Sequence, residues 1–455
     1  MDYTKRKGYN FTNVRIEGLK RKNAKPMPWD ISNFAVTYAY TEMFKRNVNI
    51  DHNLIKQYRG NLTYGFNLQP KSWKPFSKMK IFENKWFGLI KDFNLQPLPN
   101  RFGFTMDVTR NYSELLNRDI TSFYTNDVNK TLTQYNKQFL INRNYDFRWD
   151  LCKALKFDYT ATNEGRVLEP FGAIDTREKK DTIKQNLKGF GENVSFRQAF
   201  NVNYNVPINK IPILDFASLS YRYGGTYTWT RRPFAVVDSM NIGNTIQNTN
   251  TQNFTGTFNM ISLYNKIPYF KRINSGQSKA GKGLRPNEKN NNAPVDSNKT
   301  TFKNSDNFKD IGEFLARALM MIKNVSVTYQ LTNGTGLPNF RPSSQYMGMD
   351  FRDGQAPGLG FVAGSQEDIR PKALANGWLT LAEFQTSPYT RMKTENKTYR
   401  ASIEPHGSLK IELNGTQNKS YNLTEFMRWD PITQRYEFHE SPNETGNFSS
   451  SIFSL

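Results

Sequence analysis

Apolar and polar side chains alternate with a period of two along much of this chain, most regularly over residues 213–231, ILDFASLSYRYGGTYTWTR. Ala217, Leu219, Tyr221, Tyr223, Gly225, Tyr227 and Trp229 share one parity; Ser218, Ser220, Arg222, Gly224, Thr226, Thr228 and Thr230 share the other. A period of two sends successive side chains to opposite faces of a strand, so this strand has one aromatic face and one hydroxyl-rich face. Strands of soluble proteins commonly run about 5–6 residues, whereas a strand tilted across a bilayer needs about 9–11 plus any extension. Length, more than alternation, predicts a wall that crosses a membrane.

The same pattern recurs at 34–41, 57–69, 102–109, 139–151, 156–162, 196–206, 321–331 and 399–414, and more weakly in the Asn- and Thr-rich stretch 240–262. About a dozen strands follow. The predicted class is all-β: residues 1–455 as one segment of a very large transmembrane antiparallel β-barrel, with long loops and a few short helices. On the apolar parity, Phe34, Val36, Tyr38, Tyr64, Phe66, Phe102, Phe104, Phe147, Trp149, Phe200, Tyr204, Leu219, Tyr221, Tyr227, Trp229, Val327, Tyr329, Ile403 and Ile411 are expected to meet lipid. On the other parity, Arg59, Asn61, Thr63, Arg148, Asp150, Asn201, Asn203, Asn205, Arg222, Thr226, Thr228, Glu404, His406, Lys410 and Glu412 are expected to line a hydrated lumen.

Between the strands, residues 1–32 read as irregular, broken by Pro26 and Pro28, and the Lys-, Trp- and Pro-bearing stretch after 69 as a wall edge or a turn with a short helix. The charged run 176–188 predicts a helix in a loop. Residues 264–312 read as a flexible basic loop plus a short helix, the helix spanning 310–319. The Gly- and Pro-rich excursion 332–377 is too long for a turn and is expected to fold into the lumen or over its mouth as a cap or gate. Residues 447–455, NFSSSIFSL, look turn-like. Short turns between some strands and long loops between others predict a two-sided asymmetry.

Composition agrees with such a wall. Hydrophobic residues make up 37% of the chain and mean hydropathy is −0.71, low for a core-filling enzyme, yet aromatics reach 14%, with 34 Phe and 23 Tyr. A wall one side chain thick, wet inside and greasy outside with aromatic girdles, has this balance. No segment approaches the roughly 20 apolar residues of a membrane helix; the nearest, 314–322, is interrupted by Arg317. The net charge of +22 raises nucleic acid as a partner, but Lys and Arg are scattered among Asn, Thr and Asp without a basic helix or RNP-like motif, which argues against it. Anionic lipid or acidic cargo suits the same charge. The single Cys152 excludes an intramolecular disulfide, and three His leave no metal cluster. The start, MDYTKRKGYNF, is basic without an apolar stretch after it, so the chain reads as an internal piece of something longer.

Candidate chemistry dissolves on inspection. Residues 276–282, GQSKAGK, begin like a phosphate-binding loop, but Gly283 stands where the magnesium-binding hydroxyl belongs, and Arg285 and Pro286 replace the expected helix. Glu404 and Glu412 would lie roughly 27 Å apart along a strand, too far for paired-carboxylate chemistry. Asp146, Arg148 and Asp150 suit a charge ladder of a pore wall, and Cys152 has no His or acid partner in sight. No catalytic, metal or cofactor site is expected.

Several long stretches carry a resemblance. YNFTNVR at 9–15, DISNF at 30–34, YTEMFKRNVNI at 40–50, KWFGLIKDFN at 85–94, GNTIQNTNTQNFTGTFN at 243–259, SLYNKIPYFKRIN at 262–274 and YQLTNGTGLPNFRPS at 329–343 together resemble the outer-membrane translocon of the type IX secretion system, the SprA (Sov) family of gliding and secreting Bacteroidota. The family is several times longer than this chain. The resemblance implies a very wide barrel that passes folded cargo bearing type IX C-terminal signal domains to the cell surface and supports gliding motility. It also implies a smaller outer-membrane shuttle barrel (PorV-like), a periplasmic plug protein, and surrounding lipid and lipopolysaccharide as partners, with no enzyme activity, no cofactor and no nucleic acid. Two other classes share the alternation: another large outer-membrane barrel, such as a TonB-dependent receptor or a porin, and a soluble β-rich surface adhesin with shorter strands and two buried faces.

Overall fold

The computed structural model describes residues 2–17, 27–77, 79, 81, 85–118, 132–234, 242–274, 315, 316, 318–382, 387–406 and 409–454. Among these, thirteen strands form one antiparallel sheet in chain order: β1 (Tyr3–Val14), β2 (Phe34–Arg46), β3 (Ile50–Asn67), β4 (Arg101–Asn117), β5 (Gln134–Asp150), β6 (Leu155–Arg166), β7 (Glu192–Val206), β8 (Ala217–Thr230), β9 (Asn244–Asn259), β10 (Ile322–Phe340), β11 (Tyr389–His406), β12 (Leu409–Asp430) and β13 (Arg435–Ser454). Each strand pairs with its sequence neighbours, so the topology is a pure up-and-down meander. At about 4.8 Å per strand the sheet is roughly 60 Å across.

Register fixes the two faces. Tyr204, Tyr221, Phe254 and Tyr329 are paired in one row across β7 to β10, and Leu219, Gly256, Val327 and Tyr399 in the next across β8 to β11. Tyr64, Phe104 and Tyr145 continue the aromatic face over β3 to β5. One residue along, the opposite face reads Asn203, Arg222, Asn253, Gln330, Asn396 and Asn418 across β7 to β12. Because side-chain direction alternates, a slip of one residue would exchange the faces; none interrupts these rows, and the register shifts, such as that between Glu164 and Gly165, fall outside them.

Several expectations need correction. Residues 3–14 are a strand: Lys5 and Lys7 stand on the aromatic face between Tyr3 and Tyr9, which hides the period, and Tyr9 stacks on Tyr40 with ring centres 6.2 Å apart. The Ser-rich stretch near 447–454 lies in β13, whose faces are both largely polar. Its irregular register beside Thr424 and Phe426 coincides with Ser441 at φ 50° and with Pro442, and an edge strand tolerates proline. The excursion starts after Phe340 rather than at 332, because residues 332–340 complete β10.

The loops also differ from a short-turn side facing a long-loop side. One end of the sheet carries the short turns 47–49 and 431–434 and the long connection 341–388; the other carries the short turn 151–154 and the long connection 260–321. Both ends mix the two kinds. The helix expected in the charged run is present at Arg177–Lys188, capped by Thr176 Oγ1, which accepts from the Lys179 amide. Of 264–312, the helix Pro268–Asn274 is seen, while residues 275–314, including the GQSKAGK stretch, lie outside the described residues. In the expected helix 310–319, residues 315, 316, 318 and 319 are helical; the others lie outside the described residues.

Candidate functional site

The polar face is knitted together by short side chains. Asn61 donates to Asp107 at 2.6 Å, Thr63 to Asn61 at 2.9 Å, Thr162 to Asn144 at 2.9 Å and Arg222 to Asn203 at 2.6 Å. Ion pairs join Arg101 to Asp146 (2.7 Å), and Arg148 to Asp150 (3.7 Å) and Asp158 (3.6 Å), which is the charge ladder expected there. Lys410 and Glu412 pair at 2.7 Å on the same face. Arg59, Asn201, Asn205 and Thr226 are exposed, and Glu404 shares their parity on β11 beside Ser402. His406, expected on this face, is paired instead with Leu409, in the parity of Ile411 rather than that of Lys410 and Glu412, after a register shift beyond Ile403. Hydroxyls, amides and paired charges bonded to one another make this face polar throughout.

The aromatic face divides along the strands. Toward the end with the 151–154 turn, its side chains are open: Phe34, Val36, Tyr38, Phe102, Tyr204, Leu219, Phe254 and Tyr399 are each 37–47% exposed. Tyr64, Phe66, Phe104, Phe147, Trp149, Phe200, Tyr221, Val327, Tyr329, Ile403 and Ile411 are half-buried among them. Tyr221 and Phe254 sit 4.5 Å apart and Phe104 and Tyr145 5.2 Å, within the range for favourable aromatic pairs.

Toward the other end the same face is roofed. Residues 341–382 fold back over β6 to β12, burying Phe196, Tyr227, Trp229, Ile246, Leu337 and Met427 beneath Met349, Phe361, Val362 and Ile369. Tyr227 is fully buried and Trp229 2% exposed, so these two expected lipid-facing residues pack against a second protein layer. Buried amides on the wall hold the cover by its carbonyls: Asn248 donates to Phe361 and Ser365 (both 2.8 Å) and Asn250 to Gly364 (3.1 Å). Tyr223 donates to the Ala363 carbonyl at 2.7 Å and Trp229 to that of Pro342 at 3.1 Å. A smaller roof lies over β4 and β5, where Val167 and Ile183 meet Phe139 and Ile141, and Glu169 pairs with Arg110 at 2.5 Å.

The excursion therefore rests on the aromatic face, opposite the polar rows, and not in a lumen lined by them. A signal for this was present in the sequence: on the apolar parity of β9 the series Phe258, Gly256, Phe254 gives way to Gln252, Asn250 and Asn248. Amides at that parity need partners that hydrocarbon cannot supply.

At the cover's anchor, the helix Ile369–Ala375 is capped by Asp368, which accepts from the Arg370 amide at 3.0 Å, while Arg370 Nη1 donates to the buried Glu425 carboxylate on β12. Burial raises the Asp368 pKa, but the Arg370 guanidinium, the amide bond and their charge outweigh it and hold the carboxyl below its ordinary value. Among the described residues no group of His, Cys, Asp and Glu could hold a metal ion, and no helix is long and apolar enough to cross a membrane, which says nothing of a β-barrel. The chain matches no protein-family model and no curated protein.

Proposed function

We propose that this chain is a stretch of wall from a very large outer-membrane β-barrel, the protein-conducting translocon of a type IX secretion system. The observation that carries the membrane part is the segregation of the two faces, held in register from β2 to β12. An open band of Phe, Tyr, Leu and Val on one face would meet hydrocarbon; hydroxyls, amides and paired charges on the other would meet water and passing cargo. Twisted open sheets rarely exceed about 10 strands without curling, and closure removes edges such as β1 and β13. Strands of 12–22 residues also outrun the bilayer requirement of about 9–11, and the excess is where the cover lies.

The translocon part rests on the resemblance of the long stretches quoted above. A polar, mutually hydrogen-bonded lining offers folded cargo no apolar surface to adhere to, so a conduit needs neither catalysis nor a cofactor. The cover on the opposite face would stand on the outer wall beyond the bilayer, where the shuttle barrel or another partner could approach.

The experiment is site-specific labelling in a Cys152→Ser background. Single cysteines at Asn203, Thr251 and Thr328 should react with a membrane-impermeant maleimide and cross-link to cargo bearing the C-terminal signal domain. Cysteines at Leu219, Phe254 and Tyr399 should react only with a lipid-soluble reagent. Aqueous labelling of the second set would reject the membrane wall; absent cargo cross-links in the first would reject the translocon.

A further inference from the structure

On β11 and β12, where the open aromatic band meets the cover, the aromatic face changes from rings to cations. Register places Tyr399 beside Gly415, then Lys397 beside Gln417, Glu395 beside Lys419, Lys393 beside Tyr421 and Arg391 beside Leu423. All share the parity of Tyr399. Arg391, Lys393 and Lys419 are exposed, and Lys397 lies over the Tyr329 ring at 5.8 Å. One carboxylate sits inside the patch, Glu395, paired with Lys393 at 2.9 Å, and Glu444 borders it opposite Leu423. At the other end of these strands the same face ends in Ile403, Ile411 and Leu409 without a charge. The polarity is one-ended.

We infer that this patch binds the phosphates of lipid headgroups in the leaflet at the cover's end of the wall. The inference rests on the membrane reading above and gives the wall its orientation: the cover end lies in the leaflet richer in phosphorylated lipid. The chemistry is specific in three respects. Lysine stems can lie along an apolar band while their ammonium groups reach the headgroup layer. Lys397 on Tyr329 keeps one such stem against the band's upper rim, where a phosphate on a bilayer lipid would sit. Lys393, Lys397 and Lys419 then present separate point charges, which suit the several anionic oxygens of a phosphate monoester. The cover closes the far side, since Arg391 donates to the Gln366 carbonyl at 3.1 Å, so a lipid would be held between the cover's rim and the ring of Tyr399.

The test uses the full chain in a non-ionic detergent, with lipid adducts read by native mass spectrometry and insertion checked by vesicle flotation. Phosphatidic acid should be retained over phosphatidylcholine, and a Lys393→Gln, Lys397→Gln, Lys419→Gln variant should lose that preference by on the order of 100-fold, since each of the three cations near a membrane surface contributes about fivefold. The matching triple Arg variant should keep it, as should Arg59→Gln, Arg222→Gln on the opposite face. Unchanged preference in the triple Gln variant, or loss in the opposite-face control, overturns the inference. Displacement of the lipid by an equal concentration of inorganic phosphate overturns it too, by making the site one for the free ion. If the wild type fails to float with phosphatidylcholine vesicles, the membrane reading falls and this falls with it; if it floats without patch dependence, only this falls.

Discussion

Arg370 of the cover and Glu425 of β12 form a buried ion pair, their side chains 11% and 1% exposed, and Arg370 also packs over the Tyr389 ring at 4.3 Å. The pair ties a 42-residue fold-back, residues 341–382, to a strand two places further along the sheet than the one it leaves. Truncating Arg370 takes the paired cation away from the buried Glu425 carboxylate, and breaking such a pair costs about 3–5 kcal/mol. Arg370→Ala should therefore lower the opening free energy of residues 359–376 by about that amount in hydrogen exchange, leaving β2 to β4 unchanged. Equal exchange in mutant and wild type would remove the pair from the anchor.

The anchor should also loosen in acid. The folded-state pKa of Asp368 lies below its ordinary value of 3.8, so its contribution is fully present above that value and is lost as the pH falls through the lower, folded one. Pepsin cleavage of the cover should rise as the pH is taken below 3.8. In Asp368→Asn the rise from this group should vanish, with cleavage already elevated at the higher pH because the carboxylate that caps the helix and bonds Arg370 is missing.

Close approach within the wall depends on two glycines in different ways. A Cβ on Gly243 would lie 2.5 Å from the carbonyl carbon of Asn339, a backbone atom that cannot rotate away, whereas one on Gly225 would lie 2.4 Å from a ring carbon of Phe200, which can. Gly243→Ala is expected to destabilise by about 1–3 kcal/mol, the usual penalty of overpacking, and Gly225→Ala by less. Urea unfolding of the two variants side by side measures the difference; the reverse order would mean that the Phe200 ring is the more rigid neighbour.

Period-two alternation made the sheet legible wherever both faces kept their character, as in β3, β7 and β8. It failed where one face lost it. Lys5 and Lys7 interrupt the aromatic parity of β1, and Ser449, Ser450 and Ser451 give β13 no apolar parity at that point. Pairing with β2 and β12 supplied what local pattern did not. The polar face was readable where hydroxyls and amides on one strand bond across to their like on the next, as at Asn61 and Asp107 or Arg222 and Asn203. The cover was not, since alternation at Tyr227 and Trp229 is the same whether the second layer is lipid or protein. The buried amides Asn248 and Asn250, at the wrong parity for lipid, distinguish the two.

The sharpest separation of the faces is a pair of neighbouring substitutions on β9. Phe254 is 46% exposed on the aromatic face, with Tyr221 at 4.5 Å and Tyr329 at 6.3 Å, while Asn253 points the other way between Arg222 and Gln330. An arginine facing hydrocarbon in a β-barrel costs about 2–4 kcal/mol near the midplane; one facing a wetted lining costs only the repulsion of nearby cations, under about 1 kcal/mol at a screened surface. Phe254→Arg should therefore shift urea-driven folding into phosphatidylcholine vesicles by about 2–4 kcal/mol, and Asn253→Arg by a small fraction of that. In detergent-free buffer the order should not persist, because water accepts the guanidinium on either face. Equal penalties in vesicles would place Phe254 out of contact with the acyl chains and remove the lipid from the aromatic face.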